Sequence, residues 1–86
     1  MCKRNKRIRV CRLTKREYEL ILDNANFTDE QLNLFVQLNK DQYFDFAIMD
    51  SMKLTANRYY EIKGIVVDKV ERIARDYGFY ESIVER

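Results

Sequence analysis

Residues 13–18 (LTKREY), 27–32 (FTDEQL), 38–43 (LNKDQY) and 54–59 (LTANRY) share one pattern: an apolar residue, Thr or Asn, three residues, then another apolar residue. At a helix start this spacing puts the Thr or Asn oxygen where it accepts a bond from an orphaned backbone N–H. The flanking apolar residues then meet as a hydrophobic staple. The pairs are Leu13 with Tyr18, Phe27 with Leu32, Leu38 with Tyr43, and Leu54 with Tyr59. Glu17, Gln31 and Gln42 at the third helical position complete capping boxes in the first three, whereas the fourth carries Arg58 there. The chain is therefore expected to start helices after Thr14, Thr28, Asn39 and Thr55.

The residues beyond each start favour helix as well. The chain has no Pro and only two Gly, Gly64 and Gly78, which disfavours turn-rich strand folds. Tyr18, Leu20, Ile21 and Leu22 form a band that fades at DNAN, and Leu32, Leu34, Phe35, Val36 and Leu38 come after the second start. The third helix is expected from about Lys40 to Met52, with Phe44, Ala47, Ile48 and Met52 on one face. The fourth carries the stripe Tyr59, Ile62, Val66, Val70, Ile73 and Tyr77, whose steps of three and four match the helical period. This stripe outweighs the strand-like GIVV and the cost of about 1 kcal/mol for Gly64 in a helix interior. Gly78 is expected to end the helix, leaving Phe79, Tyr80, Ile83 and Val84 either to fold back on the core or to seal a dimer. The expected fold is all-α: a small bundle of four to five helices containing a helix-turn-helix, in one domain.

Charge divides the chain. Residues 1–16 hold Lys3, Arg4, Lys6, Arg7, Arg9, Arg12, Lys15 and Arg16 with no acid, so the other 70 residues carry a net charge of −6. Residues 1–12 read as a basic arm and residues 13–86 as the helical domain. An arm of this kind follows a phosphate backbone or enters a minor groove, which assigns phosphate contacts to Lys3, Arg4, Lys6, Arg7 and Arg9. Cys2 and Cys11, with no His in the chain, read as two reduced thiols, and neither a metal nor another cofactor is expected. The absence of His and of a Gly-rich phosphate loop also argues against an enzyme. No apolar run reaches the roughly 20 residues needed to span a bilayer, so no membrane contact and a cytoplasmic location are expected.

With Leu54 as the buried turn residue, Ile48, Met52, Leu54, Tyr59 and Ile62 fill the five apolar slots of a helix-turn-helix. On these residues FTDEQLNLFVQL and FAIMDSMKLTANRYYEIKGIVVDKV, spanning residues 27 to about 73, the chain resembles the C-terminal promoter-reading domain of bacterial sigma factors and small sigma-like regulators of phage. The departures are Met49, where a small residue is usual, and Lys53, where Gly is usual. The resemblance implies a transcription regulator that binds double-stranded DNA, and Thr55, Asn57, Arg58, Tyr60 and Glu61 match the positions that face the groove. In such a role Arg58 suits a guanine edge, Asn57 an adenine and Glu61 a cytosine amino group. RNA polymerase or another protein is a second expected partner. The competing reading is a phage-type interaction module or inhibitor that binds a host protein instead of DNA, using its acidic body and the apolar tail Phe79, Tyr80, Ile83 and Val84 as the dimer or partner surface.

Overall fold

The computed structural model describes residues 7–40 and 44–85. Within them a short strand β1 (Arg7–Ile8) precedes five helices, α1 (Lys15–Asn24), α2 (Asp29–Leu38), α3 (Asp45–Met52), α4 (Ala56–Tyr77) and α5 (Tyr80–Ile83), and β2 (Val84–Glu85) closes the chain. The fold is all-α. Among the described residues its one departure is the two-residue antiparallel pairing of Arg7 with Glu85 and Ile8 with Val84.

Three of the four expected caps form. Thr14 accepts from the Glu17 N–H while Glu17 accepts from the Thr14 N–H, a reciprocal box repeated by Thr28 and Gln31. Thr55 accepts from the Arg58 N–H and starts α4 without a box. Asn39 does something else. It is the C-cap of α2, and its side-chain amide donates to the carbonyls of Val10 at 2.9 Å and Phe35 at 3.0 Å. The third helix accordingly starts at Asp45 and not near Lys40, behind Phe44, which makes no side-chain cap bond. The reason is competition: at the end of α2 the Asn39 amide meets orphaned carbonyls that need donors, and it supplies both. Gln42 and Tyr43, the rest of that expected box and staple, lie outside the described residues.

The 22-residue α4 is the spine. Its Tyr59, Ile62, Val66, Val70, Ile73 and Ala74 are buried, and it packs against α1, α2 and α5, while α3 lies chiefly on α2. Tyr77 departs from the expected stripe: Ala74 takes the inner position and Tyr77 lies exposed, its hydroxyl donating to the Asn24 side-chain oxygen at 3.0 Å. From α2, Leu34, Phe35 and Leu38 fill the other side, with Phe35 flanked by Tyr18 and Phe27 at ring separations of 5.3 and 5.2 Å. Such ring pairs add about 0.5–1.5 kcal/mol beyond the area they bury. Gly78, at φ 82°, ends α4, and the Phe79 N–H returns to the Ala74 carbonyl. Gly64 lies exposed inside α4 with open space where a Cβ would sit.

Both ends of the described segment, at residues 7–12 and 79–84, fold inward. Ile83 and Val84 are buried, with Phe79 and Tyr80 half-buried against the core, so of its two expected courses the tail takes the first and folds back on the core. Hydrophobic burial close at hand wins over burial that would need a second chain. Val10 is buried beside it, and the Arg9 N–H donates to the Ile83 carbonyl at 2.8 Å. Residues 7–12 of the expected arm are thus fastened to the body. Glu17 adds a tie from the other side, accepting from the Ser82 hydroxyl at 2.8 Å.

Candidate functional site

The turn between α3 and α4 is tight and closed by backbone hydrogen bonds. Lys53 is left-handed, at φ 56° and ψ 46°, and the Leu54 N–H reaches back to the Met49 carbonyl at 2.9 Å. A non-Gly residue accepts this conformation at a cost on the order of 1 kcal/mol. Ile48, Tyr59 and Ile62 are buried and Met52 and Leu54 half-buried. Met49 is also half-buried against the core, so its bulk is absorbed where a smaller residue was expected. All five apolar slots therefore point inward.

The five polar positions point outward. Thr55, Asn57, Arg58, Tyr60 and Glu61 are exposed on the first turns of α4. They are not all unengaged. Thr55 is occupied as the cap, and Arg58 donates to Glu61 at 2.6 Å and to Glu30 of α2 at 2.7 Å. The hydrogen bond to Glu61 first, and then the charge of Glu30, hold the Arg58 guanidinium above its ordinary pKa. Glu30 was not visible as a partner in the sequence because it lies 28 residues away and on another helix.

Beside these residues the surface is aromatic and close to neutral. Phe44 and Phe46 are 58% and 70% exposed and stack on each other at 5.7 Å, and Tyr60 is 52% exposed. Between them in sequence, Asp45 accepts hydrogen bonds from the Tyr59 hydroxyl and from Lys63 at 3.1 Å. Burial acts to raise the Asp45 pKa, but the bonds from Tyr59 and Lys63, the Lys63 charge and a bond from Tyr60 outweigh it, leaving the carboxyl below its usual value. The α3 face expected inside is partly reversed here: Phe44 and Ala47 are exposed, and Ile48 is the residue that enters the core. An eight-residue helix cannot bury its whole apolar set when only one side meets α2.

No family model matches the chain, and neither the curated proteins nor the solved structures compared with it give a match.

The expected phosphate contacts separate into two groups. Lys3, Arg4, Lys6 and the side chain of Arg7 lie outside the described residues. Arg9 is a clamp: its guanidinium donates to the carbonyls of Cys11 at 3.0 Å, Arg12 at 2.6 Å and Ser82 at 3.0 Å. Those bonds take three of the five N–H donors that a guanidinium carries. Cys11 is a half-buried free thiol, and Cys2 lies outside the described residues. Among the described residues no group of His, Cys, Asp and Glu is placed to hold a metal ion, and no helix is long and apolar enough to cross a membrane.

Proposed function

We propose that this protein is a sequence-specific DNA-binding transcription regulator with a sigma-like helix-turn-helix, of the kind found in bacteria and their phage. The observation that carries the reading is the left-handed Lys53 turn, which sets Ile48, Met52, Leu54, Tyr59 and Ile62 inward and leaves Thr55, Asn57, Arg58, Tyr60 and Glu61 on an exposed face. In this role Asn57 and Arg58 read base edges, and Arg58 exchanges Glu61 and Glu30 for a guanine when the helix enters the groove. Both ion pairs are at the surface, where such pairs contribute little, so the exchange carries a small penalty.

The test is a selection of bound duplexes from a random pool, followed by affinity measurements on the selected site and on a scrambled one. Asn57→Ala and Arg58→Ala should each reduce the ratio between the two sites by about five- to 150-fold while changing scrambled-site affinity little, since a good base contact carries about 1–3 kcal/mol of discrimination. Equal losses on both duplexes would assign these residues to the DNA backbone instead.

One observation favours a second reading, a protein-binding module that docks on RNA polymerase or another protein. The exposed rings of Phe44, Phe46 and Tyr60 lie beside Asp45 and Glu61, which Lys63 and Arg58 neutralise, an apolar surface that suits a protein better than a phosphate backbone. Binding to purified RNA polymerase without nucleic acid, lost in Phe46→Ala, together with no sequence preference on DNA, would decide for it.

A further inference from the structure

Three cations without an ion pair among the described residues gather at one concavity, away from the first turns of α4. A cleft of about 450 Å³ between the start of α1 and the end of α2 is lined by Arg12, Leu13, Lys15, Tyr18, Val36, Asn39 and Lys40. Among the described residues its lining has three cations and no carboxylate. Arg12, Lys15 and Lys40 are exposed, and none of them forms an ion pair among the described residues. Gathering like charges around one concavity is unfavourable unless an anion relieves it, and such clefts concentrate the field that attracts one.

The walls are held in place. Arg12 has a left-handed backbone at φ 56°, and the Arg9 guanidinium fixes that turn through the Cys11 and Arg12 carbonyls while also gripping Ser82. The opposite wall is tied to the first by Asn39, whose amide holds the Val10 carbonyl. The Tyr18 ring, backed by Phe35, gives the cleft an aromatic lining beside its cations. Arg9 is thus a positioning residue, and Arg12 is the cation it presents.

We propose that this cleft binds the phosphates of a nucleic-acid backbone through Arg12, Lys15 and Lys40. The charge pattern of the chain favours this occupant over an acidic protein surface. The cleft continues the acid-free run of residues 1–16, and a backbone offers the regularly repeated charge that a run of cations can follow. The site is distinct from the α4 face. Glu30, which holds Arg58, and Lys40 are at opposite ends of α2, a ten-residue helix about 15 Å long. The cleft deepens the DNA-binding reading and rests on it for the choice of duplex as probe.

The experiment measures binding of the full chain to mixed-sequence duplex DNA across a salt series, for the natural protein and for the triple variant Arg12→Gln, Lys15→Gln, Lys40→Gln. Thermal unfolding of both checks that the variant folds, which these exposed positions favour. Three lost phosphate contacts should flatten the logarithmic salt slope by about 2.7, so the affinity lost between 50 and 200 mM salt should shrink by about fortyfold. Arg72→Gln with Arg75→Gln, near the end of α4, lowers the net charge elsewhere and should leave the slope unchanged. An unchanged slope in the triple variant, or an equal change per charge in the control pair, overturns the cleft. Binding to polyglutamate but not to duplex, or no duplex binding at low salt, overturns it too. Failure of the α4 reading is separable: the triple variant's slope would fall while the natural protein shows no sequence preference.

Discussion

Asn39 offers the sharpest test of how this fold is held, because two readings of the same residue predict opposite results. As the N-cap of a third helix, Asn39 should be replaceable by Asp at little cost, since the two are near-equal caps. As a donor to the Val10 and Phe35 carbonyls, it should not be: a carboxylate has no N–H to give, and it places negative charge against two carbonyl oxygens. The magnitude comes from the geometry. The Asn39 backbone N–H goes to Val36 at 3.1 Å, so the Phe35 carbonyl depends on the side chain, and no other donor among the described residues reaches the carbonyl of buried Val10. Two lost bonds at about 0.5–1.5 kcal/mol each, with one carbonyl left in a poorly hydrated place, put Asn39→Ala at about 2 kcal/mol. For a domain of this size that is a fall in Tm of roughly 8–16 °C. Asn39→Asp should cost at least as much. Urea unfolding followed by circular dichroism at neutral pH, with m held in common, measures both. An Asp variant as stable as the natural protein would refute the latch.

Gly64 and Asp45 give two further expected outcomes. Gly64 is exposed inside α4 with nothing within 4 Å of where a Cβ would sit, so Gly64→Ala should stabilise by about 0.5–1 kcal/mol, read as a higher urea midpoint. For Asp45, burial raises the carboxyl pKa and its partners Tyr59 and Lys63 more than offset this, so its folded value is depressed. A depressed carboxyl contributes stability that is complete above its unfolded pKa of about 4 and is lost as pH falls through the folded value. Relative to the natural protein, Asp45→Asn should therefore be less stable near neutral pH and lose less between about pH 5 and about pH 2.5, in urea midpoints taken across that range. Parallel curves would show that Asp45 gains nothing from Tyr59 and Lys63.

Local information and tertiary information can be told apart residue by residue. The Thr14, Thr28 and Thr55 caps, the stripe from Tyr59 to Ile73, the left-handed stop at Gly78 and the exposure of Asn57, Arg58 and Glu61 were all legible. Each depends on groups within about one or two helical turns of each other, and periodicity reports these directly. The destinations of Arg9, Asn39, Tyr77 and the tail were not legible. Arg9 reads as one more base in a basic run until Ser82, 73 residues later, comes within reach. Asn39 satisfies the spacing of an N-cap equally well, and only the approach of Val10 gives its amide a better use. Arg12, Lys15 and Lys40 become a cleft only because α1 begins where α2 ends.

By itself, then, the sequence determined that the chain is helical, where α1, α2 and α4 begin, and which side of α4 turns inward. Capping and amphipathic burial act over a few residues and leave few alternatives. Tertiary structure decided which polar side chains remain for a ligand. It engaged Arg58 with Glu30, set Arg9 against three carbonyls and left Arg12, Lys15 and Lys40 without an ion pair among the described residues. A guanidinium or an amide takes whichever partner the packed chain brings within about 3 Å, and that choice depends on contacts between segments far apart in sequence.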